Sequence, residues 1–136
     1  MKTSEKIGEI TKALAIAQGQ FTNPERNRTV TVKTRTGGQY QFTYATLDEI
    51  IAMARPVLSR SELAVIQSVR TNGVPGSPQV VVETRIAHSS GEWIEDEISS
   101  IPLGETDGIQ QIGSAITYLK RYAYCAMLGI VAEEDD

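Results

Sequence analysis

The 136-residue sequence holds little from which a metal centre or a covalent crosslink could be built. Its single cysteine, Cys125, excludes an internal disulfide and a cysteine-rich zinc site. Its single histidine, His88, lies in a Ser/Gly turn and reads as structural. No apolar stretch approaches the roughly 20 residues that cross a bilayer, and the N-terminal MKTSEKIGEI has no apolar signal core. The expected compartment is therefore the cytoplasm, bacterial or host, with no membrane partner. Gly37-Gly38 and the stretch from Gly73 to Gly76 lack the lysine and the spacing of a phosphate-binding loop.

What is present is an ordinary globular composition, 40% hydrophobic and 22% charged, enough for a core without staples. Residues 1–136 read as one domain. The net charge of -4 is unevenly spread. The last four residues, Glu133 to Asp136, are all acidic, so the remainder is neutral. Between Pro24 and Tyr40, Arg26, Arg28, Lys33 and Arg35 face only Glu25. Between Thr71 and Thr117, Arg85 alone faces Glu83, Glu92, Glu95, Asp96, Glu97, Glu105 and Asp107. A basic patch on a neutral body binds phosphates, because local potential matters more than net charge. Such segregation also arises by chance.

The pattern predicts a helix over Ser4–Gln18, with Ile7, Ile10, Leu14 and Ala17 on one side. Thr29–Lys33 and Gln39–Tyr44 suit a β-hairpin around Thr36-Gly37-Gly38. Thr46 and Glu49 form a capping box, which starts a helix at Leu47. Pro56 should kink or end it. Leu63–Val69 reads as a strand and Asn72–Pro78 as a loop. Gln79–Ala87 reads as a strand with Val80, Val82, Thr84 and Ile86 on one face, then a turn at His88–Gly91. Trp93–Ile101 is its partner strand, and Pro102–Gly108 a second loop. Ile109–Ile130 is the longest helical pattern, with Ile112, Ala115, Ile116, Leu119, Ala123, Ala126, Met127 and Ile130 as its apolar stripe. Gly113, Thr117, Lys120, Arg121 and Tyr124 are expected on the opposite side. The order of elements argues α+β with an antiparallel sheet.

Three stretches together resemble the ERF (essential recombination function) family of phage and prophage single-strand annealing proteins. They are Tyr40-Gln-Phe-Thr-Tyr-Ala-Thr-Leu-Asp-Glu-Ile-Ile51 running into Ala54-Arg-Pro-Val-Leu58, Glu83-Thr-Arg-Ile-Ala-His-Ser-Ser-Gly-Glu92, and Gln111-Ile-Gly-Ser-Ala-Ile-Thr-Tyr-Leu-Lys-Arg-Tyr-Ala-Tyr124 continuing through Leu128 to Asp136. The resemblance covers nearly the whole chain. It implies sequence-independent binding of single-stranded DNA and ATP-independent annealing of complementary strands in homologous recombination. It implies a homo-oligomer, a ring, with host or phage recombination proteins as possible partners. It also implies a fold similar to the ring-forming annealing domain of eukaryotic recombination proteins, a curved antiparallel sheet with a β-hairpin packed on a long C-terminal helix. The family's third motif commonly runs on into a further C-terminal region, so ending at Asp136 suggests an isolated core domain or a short member.

Annealing needs a cationic track for the backbone and free base edges, not an acid, a base or a nucleophile. No catalytic residue, metal or cofactor is expected on that reading. The DNA-binding candidates are Lys120 and Arg121 mid-helix, flanked by Tyr118, Tyr122 and Tyr124, then the hairpin cations Arg26, Arg28, Lys33 and Arg35, with Tyr44, Arg55 and Tyr124 added. Each has a plainer reading. Lys120 and Arg121 suit a solvated helix surface, the hairpin cations a solvated turn, Tyr40 and Tyr44 packing, and Arg55 a helix-end salt bridge. Cys125 most simply packs. Two rivals follow from the acids. One is a small regulatory protein that binds a partner through its acidic face. The other is a metal-dependent nuclease using Glu92, Glu95, Asp96 and Glu97, but consecutive acids on a strand point to both faces and cannot all converge.

Overall fold

The computed structural model describes residues 1–103 and 108–133. Part of the expected loop Pro102–Gly108, and the acids after Glu133, lie outside the described residues. The elements are β1 (Lys2–Thr3), α1 (Gly8–Gln20), β2 (Arg28–Lys33), β3 (Gln39–Tyr44), α2 (Leu47–Arg60), β4 (Leu63–Val74), β5 (Ser77–His88), β6 (Trp93–Ser99) and α3 (Ile109–Leu128). Among the described residues no helix is long and apolar enough to cross a membrane.

The alternation read in the fifth strand decides the packing. Val80, Val82, Thr84 and Ile86 of β5 are all at most 1% exposed, because each second side chain of a strand falls on one face. The helices cover that face in two clusters. Val80 and Val82 pack with Leu119 of α3, with Ile112, Ala115 and Ile116 around them. Ile86 packs with Ile10 and Ala17 of α1, Ile50, Ala54 and Leu58 of α2, and Tyr124 and Leu128 of α3.

The α+β class and the antiparallel pairing hold, but the implied curved sheet does not. The main sheet is open, neither curled nor closed, with strand order β1-β6-β5-β4, and the hairpin β2-β3 is a separate two-stranded sheet. The hairpin fails to extend the main sheet because β3 feeds straight into α2, which lies over the core. Its root is tied to the body by Ala45 N–H donating to the Ala132 carbonyl at 2.9 Å and by an isolated bridge between Tyr44 and Glu133.

Several local expectations shift for identifiable reasons. The first helix starts at Gly8, since Lys2 and Thr3 pair with Glu95 and Ile94 of β6. Ala13 joins Ile10 and Ala17 in the core, while Ile7 is 39% exposed. The start of α1 is capped from afar, by Ile10 N–H donating to Glu92 Oε1 at 2.8 Å. The capping box does not form, because the Thr46 hydroxyl donates to the nearer Asp48 carboxylate. That hydrogen bond holds the Asp48 carboxyl below its ordinary value. Pro56 sits inside α2 without ending it. Both Pro56 and Ala52, whose carbonyl loses its helical donor, are exposed, so that carbonyl is open to solvent.

The expected loop Asn72–Pro78 is almost all strand. β4 and β5 pair from Leu63↔His88 to Val74↔Ser77, leaving only Pro75 and Gly76 between them. Proline with its fixed φ, followed by Gly76 at φ 85°, is the order a type II turn requires. β6 stops at Ser99 and α3 at Leu128, both two residues short of the sequence boundary. α3 ends because Gly129 adopts φ 74° and Ile130 N–H folds back to the Cys125 carbonyl at 2.9 Å.

One polar contact fixes α3 against the sheet. The Gln67 side-chain amide donates to the Thr84 hydroxyl and to the Lys120 carbonyl, each at 3.0 Å. Thr84 is fully buried, so its hydroxyl has no water to turn to. Gln67→Leu removes both donors and is expected to lower unfolding free energy by about 1–3 kcal/mol in denaturant titration. An unchanged midpoint would show that the clip carries no weight.

Candidate nucleic-acid interface

Successive residues of a helix point about 100° apart, and α3 uses this to send its two cations to different places. Lys120 enters a cleft of about 410 Å³ that it shares with Ile51, Arg55, Gln67 and Tyr124. Arg121 enters a groove of about 570 Å³ between α3 and the hairpin, with Val30, Phe42, Tyr44, Ser114, Thr117 and Tyr118. They do not share one outward face, as the helical pattern suggested.

The first cleft brings together two residues far apart in sequence, Arg55 of α2 and Lys120 of α3. Arg55 is exposed and Lys120 half-buried. Among the described residues neither side chain has a hydrogen-bonding or ion-pair partner. Two uncompensated cations at one opening form an attractive field for an anion.

Arg121 is in the opposite condition. Its side chain is only 14% exposed and pairs with Glu133 at 3.2 Å. Its guanidinium lies 4.5 Å from the Tyr44 ring centroid and 5.6 Å from that of Tyr118. Arginine is suited to this, since a planar delocalised cation stacks on rings while still donating to a carboxylate. The arrangement locks three segments together: α3, the root of the hairpin, and the stretch after α3. Glu133 had no assigned role in the sequence beyond the acidic ending. Nothing in spacing reveals that it returns to Tyr44 and Arg121.

The remaining candidates divide. Tyr124 does not stand on the outward face. It is 5% exposed within the core cluster, since α3 packs against both α2 and the sheet. Burial raises its phenol pKa, opposed by the nearby Arg55. Tyr124 therefore supports the floor of the cleft as a packed ring. Tyr44 is half-buried and paired with Arg28 across the hairpin. Arg28, Val30 and Val32 share the hairpin face that carries Tyr40, Phe42 and Tyr44. Lys33, paired with Gln39, lies on the other face. Arg28, Lys33 and Arg35 are exposed and Arg26 half-buried, and none has an ion-pair partner among the described residues. Gln67, which positions the Lys120 segment, escaped the sequence reading of the site. Tyr118 and Tyr122, read there only as flanking Lys120 and Arg121, are exposed one turn apart.

The acids that suggested a nuclease are each engaged by another group. Glu92 caps α1, Glu95 pairs with Arg85 at 2.8 Å, Glu97 pairs with Arg70 at 3.0 Å, and Asp96 lies 3.7 Å from the N-terminal amine. Among the described residues no group of three or more His, Cys, Asp or Glu side chains is placed to hold a metal ion. The His88 ring bonds the Ser90 hydroxyl at 2.9 Å within its own turn. Cys125 is partly buried against the core. Burial pushes its thiol up to about 11, with Arg121 opposing and Glu133 adding.

The ERF superfamily matches residues 10–136, nearly the whole chain. The protein belongs to the ERF superfamily. No curated protein matches it. As an ERF protein it binds single-stranded DNA without regard to sequence and anneals complementary strands in recombination. ERF proteins do this without catalysis, so the interface has to be judged by how it holds a strand.

The Arg121 junction makes a separate prediction. Arg121→Ala should destabilise the protein by about 1–3 kcal/mol and speed amide exchange across Arg28–Tyr44 more than across Ser77–His88. Equal acceleration in both would mean that Arg121 does not hold the hairpin.

Proposed function

We propose that this ERF protein holds a single strand by its phosphates along a track that crosses α3. Arg55 and Lys120 supply one end of it. Arg28 lies on the hairpin face beside the groove, and Arg26, Lys33 and Arg35 add positive potential around it. The observation that carries the reading is the pair of uncompensated cations, Arg55 and Lys120, opening into one cleft. Contacts of this kind bind any sequence, since phosphate and sugar are the same at every nucleotide. They leave base edges free for a complementary strand. Arg121 contributes by holding the hairpin in place and not as an open phosphate site.

The working form is a homo-oligomer of one-domain subunits, arranged as a ring, in the cytoplasm of a bacterium or host. Two observations support association. Among the described residues, β4 is paired on one side only along all twelve residues, and β6 meets β1 only at Ile94 and Glu95. Open edges of that length attract another chain. Head-to-tail contacts between copies close a ring when the rotation permits, and would align many weak phosphate sites into one track. Recombination proteins of the phage or host are the partners such an assembly would meet.

Two measurements test this. Arg55→Ala with Lys120→Ala should flatten the slope of log affinity against log salt by about 1.4, roughly 0.7 for each single-strand phosphate that is no longer neutralised. Thermal unfolding should stay nearly unchanged. An unaltered slope would place the phosphates elsewhere. Sedimentation velocity should show assemblies larger than a dimer, and a monomer both with and without an oligonucleotide would refute the oligomer.

A further inference from the structure

Tyr118 and Tyr122 leave α3 one turn apart and are 52% and 58% exposed. Their rings stack with centroids 6.0 Å apart and planes 22° from parallel. Tyr118 belongs to the wall of the hairpin groove. Tyr122 belongs to a neighbouring apolar hollow of about 260 Å³ with Cys125, Ala126, Ile130 and Val131. The pair thus forms a lip between two openings, with half of its ring surface in water. Phe42 and Tyr44 stand on the far wall of the groove.

The chemistry beside this lip decides what covers it. The nearest cation, Arg121, is already neutralised by Glu133 and almost out of solvent. A phosphate finds little free charge there. The open cations of the cleft lie on the other side of α3, at Arg55 and Lys120. What the lip offers is two aromatic faces in a locally neutral setting. A nucleobase has an uncharged, polarisable face, and stacking on tyrosine accepts every base alike. In a duplex those faces are buried in the base stack and closed to a side chain. A strand with its phosphates on the cleft side would bring its bases over α3 toward these rings.

We infer that Tyr118 and Tyr122 form a stacking platform for unpaired bases, and that these rings, not the cations, give the protein its preference for single strands over duplex. The inference rests on the proposed path of the strand across α3. The test uses the full chain and three probes of equal length: an ordinary oligonucleotide, an abasic strand with the same phosphates, and a duplex. The wild type should bind the ordinary strand about tenfold or more tighter than either of the others. Tyr118→Ala with Tyr122→Ala should bind all three nearly alike, with the salt slope unchanged. Tyr118→Phe with Tyr122→Phe should restore the preference, since phenylalanine keeps the ring.

Equal binding of ordinary and abasic strands by the wild type would overturn the platform. So would an alanine pair that keeps the preference, or one that changes subunit number instead, which would make the rings a contact between copies. If the tyrosine pair governs base dependence while Arg55→Ala with Lys120→Ala leaves the salt slope untouched, the platform stands and the phosphate track is misplaced.

Discussion

Four side chains on one face of β5, Val80, Val82, Thr84 and Ile86, are stripped of water, and the three helices are the elements that cover them. Burying three aliphatic side chains of this size is worth about 1.5–3 kcal/mol each, which makes the placement of α3 hard to alter. Leu119 packs on Val80 and Val82 of β5, and Ala123 is buried one turn further on. With a pitch of about 100° per residue, the directions of Lys120, Arg121, Tyr118 and Tyr122 then follow. The Gln67 amide sets the remaining freedom by holding the Lys120 carbonyl beside Thr84. The proposed interface is therefore a by-product of core packing. Residues with no role in the core are aimed by residues that have nothing else to do.

The same helix separates two kinds of surface. On one side, in a cleft, are two cations with no ion-pair partner among the described residues. On the other are aromatic rings around an arginine whose charge is already matched. Annealing requires a strand to be held firmly enough to be aligned yet loosely enough to pair and leave. Dividing phosphate attraction from base stacking suits that need, since the first responds to salt and the second to whether the bases are free. Glu133 pairs with Arg121, and its backbone bridge to Tyr44 ties the hairpin root to the end of α3. The hairpin is otherwise separate from the main sheet, which lets it form a wall of the groove instead of another strand.

How much of this the sequence disclosed varies with the range of the forces involved. The buried row of β5 and the hairpin strand Gln39–Tyr44 were legible, because period and turn residues are local signals. The start of α2 at Leu47 was also read correctly, although the capping box it was read from does not form. The span Asn72–Pro78 was not. Asn, Gly, Pro and Ser read as a loop, yet pairing with β5 carries β4 through them to a two-residue turn. Tyr124 was placed outward by an idealised helical wheel, and it is inward because α3 packs against two surfaces at once. The curved sheet was expected from resemblance, and the open order β1-β6-β5-β4 replaces it. At the site, the residue types were readable and their grouping was not. Arg55 meets Lys120, and Glu133 meets Arg121, only through tertiary packing.

Two surfaces compete for the strand. One is α3 with its two flanking openings, where the proposed path runs. The other is the uncovered face of the sheet, where Arg85 stacks over Trp93 at 4.1 Å and pairs with Glu95. Ultraviolet crosslinking of the full chain to a single-stranded oligonucleotide, with the adducts mapped by mass spectrometry, separates them directly because each carries its own aromatic reporter. Adducts at Tyr118, Tyr122 and the hairpin rings Phe42 and Tyr44, with none at Trp93, are the predicted outcome. Adducts concentrated at Trp93 would put the strand on the sheet and leave α3 without its role.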